Sequence, residues 1–288
     1  MTMPVAAWAL DDRASLAALH RPGADAPQFV SQATTVQIDD GVSYVDELIR
    51  RWQLGPPQIR ILGAPGFQPR SAFASWTRPD GSVGFRGPTA GVRRLLEDER
   101  CTVVVNRWHM FDEACLGLVE DVSSTRGTEA MGNLYLATST SRSFGRHWDG
   151  HDVLVVQLVG RKVWSFFGCE VVDATGRVPQ GTPPEAVTME VELSPGDALL
   201  VPRGWWHDTR CPGPDCSLHV SIAGYPFTVS MLLDRLLGEM EPTHQELRRD
   251  ALALSSDGLV VDDSAVSEAL GLLSRQFVLP DIPTNSEG

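Results

Sequence analysis

The hydrophobic pattern changes character twice along the chain. Up to about residue 40, short apolar groups alternate with Pro and Gly, which reads as an irregular leader around one helix near residues 12–19. YVDELIRRW (44–52) places Val45, Leu48, Ile49 and Trp52 at helical spacing. IRILGA (59–64) reads as a strand, TAGVRRLLEDER (89–100) as a helix, CTVVVN (101–106) as a β-branched strand and FDEACLGLVEDV (111–122) as a helix. From residue 131 the apolar runs shorten. GNLYLATST (132–140), DVLVVQLVG (152–160), KVWSFFG (162–168), TMEVEL (188–193), DALLVP (197–202) and SLHVSIAG (217–224) are separated by Gly, Pro, Asp or Ser. Short strands at this spacing build an antiparallel sandwich or barrel. From about residue 229 apolar positions again recur at three- and four-residue steps, in SMLLDRLLGEM (230–240), HQELRRDALAL (244–254) and SEALGLLSRQF (267–277). The tail PTNSEG (283–288) is expected to fray. The fold class that follows is mainly β with flanking α: a mixed α/β lead-in, a β core at about 130–225 and a helical end.

Composition narrows this picture. A hydrophobic content of 42% over 288 residues supports a full-sized core. A net charge of −13 argues against phosphate backbones and anionic membranes as main partners, so neither nucleic acid nor membrane is expected. No run of 18 apolar residues is present. The start, MTMPVAAWALDDR, has no basic region, and Asp11 and Asp12 interrupt its apolar stretch; a signal peptide is not expected and a cytoplasmic protein is. There are five cysteines and no C-x-x-C. Cys211 and Cys216 flank P-G-P-D and could close a loop or supply half a metal site, but without a secretory signal free thiols are expected.

Two stretches carry candidate chemistry. In HWDGHDV (147–153), His147 and Asp149 would share one face of a strand and could bind a cation together. A further ligand must come from elsewhere. His207 closes GDALLVPRGWWH (196–207), at the expected end of a strand that begins after the turn S-P-G-D (194–197). Two imidazoles and one carboxylate make a facial triad that leaves coordination positions open; this donor set suits Fe(II) and accepts Mn, Co, Ni or Zn. The alternative is a partly buried pair that only hydrogen-bonds. His151 shares parity with the pair but is expected near the cavity mouth rather than on the metal, and His219 is expected as a core or supporting residue. Trp148, Trp205 and Trp206 border the ligands; alternation would turn one of Trp205 and Trp206 to the cavity mouth and the other away.

GDALLVPRGWWH resembles the second cupin motif, with Gly196, Asp197, Pro202, Gly204 and His207 at its positions. His147, Asp149, Val153 and Gly160 resemble the first, at the spacing H-x-H-x3-E-x6-G, with Asp149 for the second His and Val153 for the Glu. That pattern resembles the JmjC-type oxygenases. The run from Asn133 to Trp164 is similar to their ribosomal-oxygenase branch, which hydroxylates protein side chains, and the resemblance extends over about 101–225. It implies a double-stranded β-helix (cupin, jelly-roll) core in a catalytic domain at 1–225, and a helical segment at 226–288 that makes a homodimer. The winged-helix domain that usually closes those proteins has no counterpart in these residues. The resemblance also implies Fe(II) on His147, Asp149 and His207, with 2-oxoglutarate and dioxygen as cosubstrates. Lys162, fifteen positions after the first His, would grip the far carboxylate of 2-oxoglutarate; Tyr135 and Asn133 fall where the branch carries pocket residues. The implied activity is hydroxylation of a side-chain carbon, His ahead of Arg, in a peptide or protein that could be a natural-product precursor. An N-demethylase using the same oxidant, a metal cupin without oxoglutarate and a non-catalytic dimeric scaffold are the alternatives.

Overall fold

The computed structural model describes residues 8–9, 17, 19, 25–36, 38–63, 72–88, 91–98, 100–141, 144–178, 180–249, 252–255, 258–261 and 263–276. Apart from Ala17 and Leu19, the helix expected near 12–19 lies outside these residues, as does the tail 283–288. Packing divides the chain into two compact units, Met1–Pro226 and Phe227–Gly288.

The first unit holds strands β1 (Trp8–Ala9), β2 (Gln28–Val30), β3 (Thr35–Val36), β4 (Ile59–Leu62), β5 (Phe73–Thr77), β6 (Val83–Pro88) and β7 (Thr102–Val105). They are followed by β8 (Ala130–Ala137), β9 (Asp152–Val159), β10 (Lys162–Cys169), β11 (Met189–Leu193), β12 (Ala198–Val201), β13 (Trp205–Arg210) and β14 (Ser217–Gly224). Seven of them form one antiparallel sheet in the order β2-β12-β9-β14-β8-β7-β4, and β11-β10-β13 form a second.

Period-two alternation explains how the sheets stack. On β9, Val153 and Val155 pack with Leu199 and Val201 of the large sheet against Trp164, Phe166 and Leu193 of the small one. The opposite face carries Leu154, Val156 and Leu158, which join Leu134, Val220 and Ile222 in a core with Cys115, Leu118 and Val122 of the helix Glu113–Arg126. With both faces covered, β9 is apolar at nearly every position. The helix begins where the Asp112 side chain accepts the Cys115 N–H at 2.9 Å, and ends at Gly127 in the left-handed region.

The glycines of the two motif stretches sit where the chain has no room for a side chain. Gly160 has φ +62°, and a Cβ there would lie 2.1 Å from the Cys216 carbonyl oxygen. Gly204 has φ +81°, with the Val171 carbonyl oxygen 2.1 Å from that position. Asp197 is structural: its Oδ1 accepts the Gln32 N–H at 3.0 Å and its Oδ2 the Ser194 N–H at 2.8 Å, clipping the leader to the turn before β12.

At the start of β9, Asp152 forms a buried ion pair with Arg126 and accepts the Arg203 N–H at 2.8 Å. The carboxylate thereby joins the helix end, β9 and the P-R-G turn. Asp152→Ala removes one partner of a buried ion pair, so unfolding in urea is expected to show a loss of about 3–5 kcal/mol. A loss below about 1 kcal/mol would mean that the pair behaves as a screened surface bridge.

Two expectations change, and one hairpin was not foreseen. Residues 244–254 are not one helix: a 3-10 turn at Gln245–Arg248 precedes β15 (Leu252–Ser255), which pairs with β16 (Gly258–Val261). Ser256-Asp257-Gly258 is a turn sequence and Val260 and Val261 are β-branched, which favours the hairpin over a continued helix. The hairpin β5–β6 has a similar Asp80-Gly81 turn, but its strands are largely exposed and show little alternation. The leader contributes β2, which pairs with β12 at the sheet edge.

In the second unit the helix Val229–Met240 starts with the Thr228 side chain accepting the Met231 N–H at 3.2 Å. Met231, Leu232 and Leu233 are exposed on it. The helix Asp263–Gln276 follows. Among the described residues no helix is long and apolar enough to cross a membrane.

Candidate active site

His147, Asp149 and His207 converge, with one donor atom of each within 4.8 Å of the others. Their backbone setting differs from the expectation. His147 and Asp149 do not lie on a regular strand; His147 makes an isolated antiparallel bridge to His207. The His147 N–H donates to the His207 carbonyl at 3.1 Å and the His207 N–H to the His147 carbonyl at 2.8 Å. The Gly204 N–H, at 2.9 Å from the Asp149 carbonyl, extends the pairing by one step. His207 also does not end the strand after S-P-G-D. Pro202-Arg203-Gly204 break that strand at β12, and His207 belongs to β13.

Each imidazole is oriented by its own backbone. His147 Nδ1 lies 2.8 Å from the Gly145 carbonyl oxygen, and His207 Nδ1 lies 2.9 Å from that of Trp205. A carbonyl only accepts, so both Nδ1 atoms carry the proton and each Nε2 presents its lone pair. His207 Nε2 is 3.7 Å from Asp149 Oδ2. Burial, then the neighbouring His147, pull the His207 imidazole down to about 4, against the charge of Asp149. A neutral ring is the ligating form. Two neutral imidazoles and a carboxylate are a donor set that fits a first-row divalent ion.

The three residues stand in a cavity of about 350 Å³, within the range of small-molecule sites. Lys162, the first residue of β10, reaches it while only 6% exposed. Among the described residues its ammonium has one hydrogen-bond partner, the Cys211 thiol, with Nζ to Sγ at 3.8 Å. Burial holds its pKa below the usual lysine value, opposed by Cys211 and Asp208. A buried cation whose bonded partner is a weak thiol fits an anionic ligand group. Tyr135 also lines the cavity, and burial together with the Asp149 charge pushes its hydroxyl up to about 12, so it is a neutral donor. Asn133 is present too: its Oδ1 accepts the Arg107 N–H at 2.9 Å and its side chain hydrogen-bonds the Tyr135 hydroxyl.

The expectation for the tryptophans does not hold. Trp148 and Trp206 pack with Phe167 and Ala174 away from the cavity, and Trp206 Nε1 donates to Glu170 at 3.0 Å. Trp205 shares the parity of His207 but packs beside Phe166 and ties to the leader through the Asp25 carbonyl at 3.1 Å. The tryptophan in the wall is Trp164, its ring 5.6 Å from that of His207. His151 does line the cavity, against Tyr225 at 5.0 Å. Phe144 and Arg60, which sequence reasoning did not assign, also line the cavity, as does His219, expected as a core or supporting residue. Alternation could have found Trp164 from Lys162, two positions earlier on the same strand. Phe144 and Arg60 arrive from separate segments and had no such signal. All five cysteines are free thiols, and Cys211 and Cys216 do not pair.

Residues 108–232 match the family model of the JmjC domain. Related proteins include the bifunctional lysine-specific demethylase and histidyl-hydroxylase NO66 of Aedes aegypti, 33% identical over 161 residues, which are 52% of this chain and 25% of that protein. Ribosomal oxygenase 2 of Rattus norvegicus is 28% identical over 142 residues, 46% of this chain and 29% of that protein. The chain thus spans about a quarter of the length of these relatives. The JmjC cupin fold is shared with YcfD, a ribosomal oxygenase from Escherichia coli solved in complex with cobalt and 2-oxoglutarate. That structure is 17% identical with a TM-score of 0.58, covering 91% of this chain and 66% of that one.

Burial, then the Lys162 charge, hold the His219 imidazole well below its ordinary pKa. It stays neutral in the folded protein, whereas the unfolded chain takes up a proton below about pH 6.5. The unfolded state then binds more protons, so stability falls as pH drops through that value, by at most about 1.4 kcal/mol per pH unit for this group. Urea unfolding from pH 7.5 to pH 5.5 is expected to show a shallower fall in His219→Asn than in the unsubstituted protein; parallel curves would contradict it.

Proposed function

We propose that this protein is an Fe(II)- and 2-oxoglutarate-dependent oxygenase that hydroxylates a side-chain carbon of a peptide or protein. The observation that carries this is one cavity holding both the His147–Asp149–His207 cluster and a buried lysine without an anionic hydrogen-bond partner. His147 and His207 would bind the metal through Nε2 and Asp149 through its carboxylate. Lys162 would hold the far carboxylate of 2-oxoglutarate, with Tyr135 and the Asn133 amide donating nearby. When bound, Fe(II) would supply the redox chemistry that couples dioxygen and 2-oxoglutarate to C–H oxidation. The work of the chain is to orient the ligands, keep Tyr135 protonated and bring one C–H bond to the open side of the cluster.

His is the favoured target side chain and Arg the next. A neutral imidazole suits the aromatic wall of Trp164 and Tyr225, and one relative carries histidyl-hydroxylase in its name. The same name includes lysine-specific demethylase, which favours N-demethylation as the second reading. The free thiols suit a reducing, cytoplasmic setting. The exposed Met231, Leu232 and Leu233 suit a homodimer formed through the helical segment, which light scattering of the full chain would test.

The deciding experiment mixes protein, Fe(II) and 2-oxoglutarate without oxygen and records the visible charge-transfer band, then admits oxygen with candidate His and Arg peptides. A band, succinate and a peptide gain of one oxygen atom support the reading. Formaldehyde release from a methylated peptide would replace it with demethylation. No band from folded, metal-bound protein would leave a metal cupin that does not use oxoglutarate.

A further inference from the structure

We propose that His219 is a second anchor for the far carboxylate of 2-oxoglutarate, donating a ring N–H beside Lys162. This deepens the oxygenase reading above and rests on it.

His219 lines the cavity from β14, is 5% exposed, and its Nδ1 has no hydrogen-bond partner. A buried imidazole nitrogen without a partner costs free energy that a bound ligand can return. Its ring is fixed on two sides. It stacks on Tyr135 at 5.0 Å with an interplanar angle of 5°, and it meets Trp164 edge to face at 5.9 Å. Tyr135 and Trp164 therefore flank it; Tyr135 is already assigned to the 2-oxoglutarate end of the cavity, and Lys162, two positions before Trp164 on β10, lines the same cavity. Lys162 lies near enough for its charge to bear on the ring. A neutral imidazole beside an ammonium suits a carboxylate, which accepts from both, and not a second cation.

One other use of the nitrogen is visible. Gln157 sits opposite His219 in the strand register, and its Oε1 also has no partner. A water joining the two would make His219 a structural residue, and the test must separate these roles.

The measurement is anaerobic titration of the Mn(II)- or Fe(II)-loaded protein by calorimetry, with 2-oxoglutarate and with 2-oxobutyrate. The second acid keeps the keto acid end and lacks the far carboxylate. His219→Phe keeps a ring against Tyr135 and removes the donor; His219→Ala is a smaller donor-free variant in case the first does not fold. His219→Asn restores a donor. The donor-free variant is expected to bind 2-oxoglutarate roughly 10- to 100-fold more weakly, with 2-oxobutyrate unchanged and partial recovery in His219→Asn. Unchanged 2-oxoglutarate binding, or equal weakening of both acids, would overturn the proposal in favour of the structural role. Failure of the unsubstituted, metal-loaded protein to bind 2-oxoglutarate at all would overturn the oxygenase reading itself, which is a different result from either.

Discussion

His207→Ala is expected to remove metal binding, with the domain still folded. His207 is 3% exposed and supplies the donor that faces His147 and Asp149 across the short pairing of the two segments. Its replacement leaves two donors on one non-strand segment, too few to hold a divalent ion in a fixed geometry. The loss should exceed the roughly 10- to 100-fold that removal of a mere outer partner costs. Calorimetric titration with Mn(II) or Co(II) measures it, with thermal unfolding as the check on folding. His151→Ala is the control, because His151 packs against Tyr225 at the cavity wall and is no member of the cluster. If His207→Ala kept the affinity of the unsubstituted protein, or His151→Ala lost it, the assigned ligand set would be wrong.

Lys162→Ala is expected to raise the 2-oxoglutarate requirement while leaving metal affinity intact. Removing one partner of a buried charge pair costs about 2–5 kcal/mol, which corresponds to roughly 30- to several-thousand-fold in affinity. The neighbour Arg161 provides the internal comparison: it is exposed and paired with Glu192 at 2.8 Å on the outer side of the sheet. Arg161→Ala should leave 2-oxoglutarate binding unchanged. A Lys162→Ala protein that binds 2-oxoglutarate normally would turn the reading to a metal cupin whose lysine serves only packing.

Much of this centre was legible because it follows local rules. H-x-D, the G-D turn and P-R-G each bend or extend the chain through residue types whose conformational preferences do not depend on distant partners. Alternation allowed only one of Arg161 and Lys162 to point inward, and the family resemblance chose Lys162; the structure puts Lys162 in the cavity wall and Arg161 outside it. The same rule misled at Trp205 and Trp206. It gave their faces but not what lay beyond them, and the leader residue Asp25 and the segment around Ala174 cover those rings. The helix expected over 244–254 failed because Leu252 and Leu254 pair with β16, a partner that apolar spacing within 244–254 does not show.

The sequence by itself determined the β core, since period and turn residues are encoded within a few neighbours, and its motifs marked the cluster residues and Lys162. Only the tertiary structure decided what shares the cavity. His219 meets Tyr135 because β14 pairs with β8 in one register, and both meet Trp164 because the small sheet closes over the large one. Those contacts join residues dozens of positions apart, and their distances depend on strand register and sheet packing that no local pattern specifies.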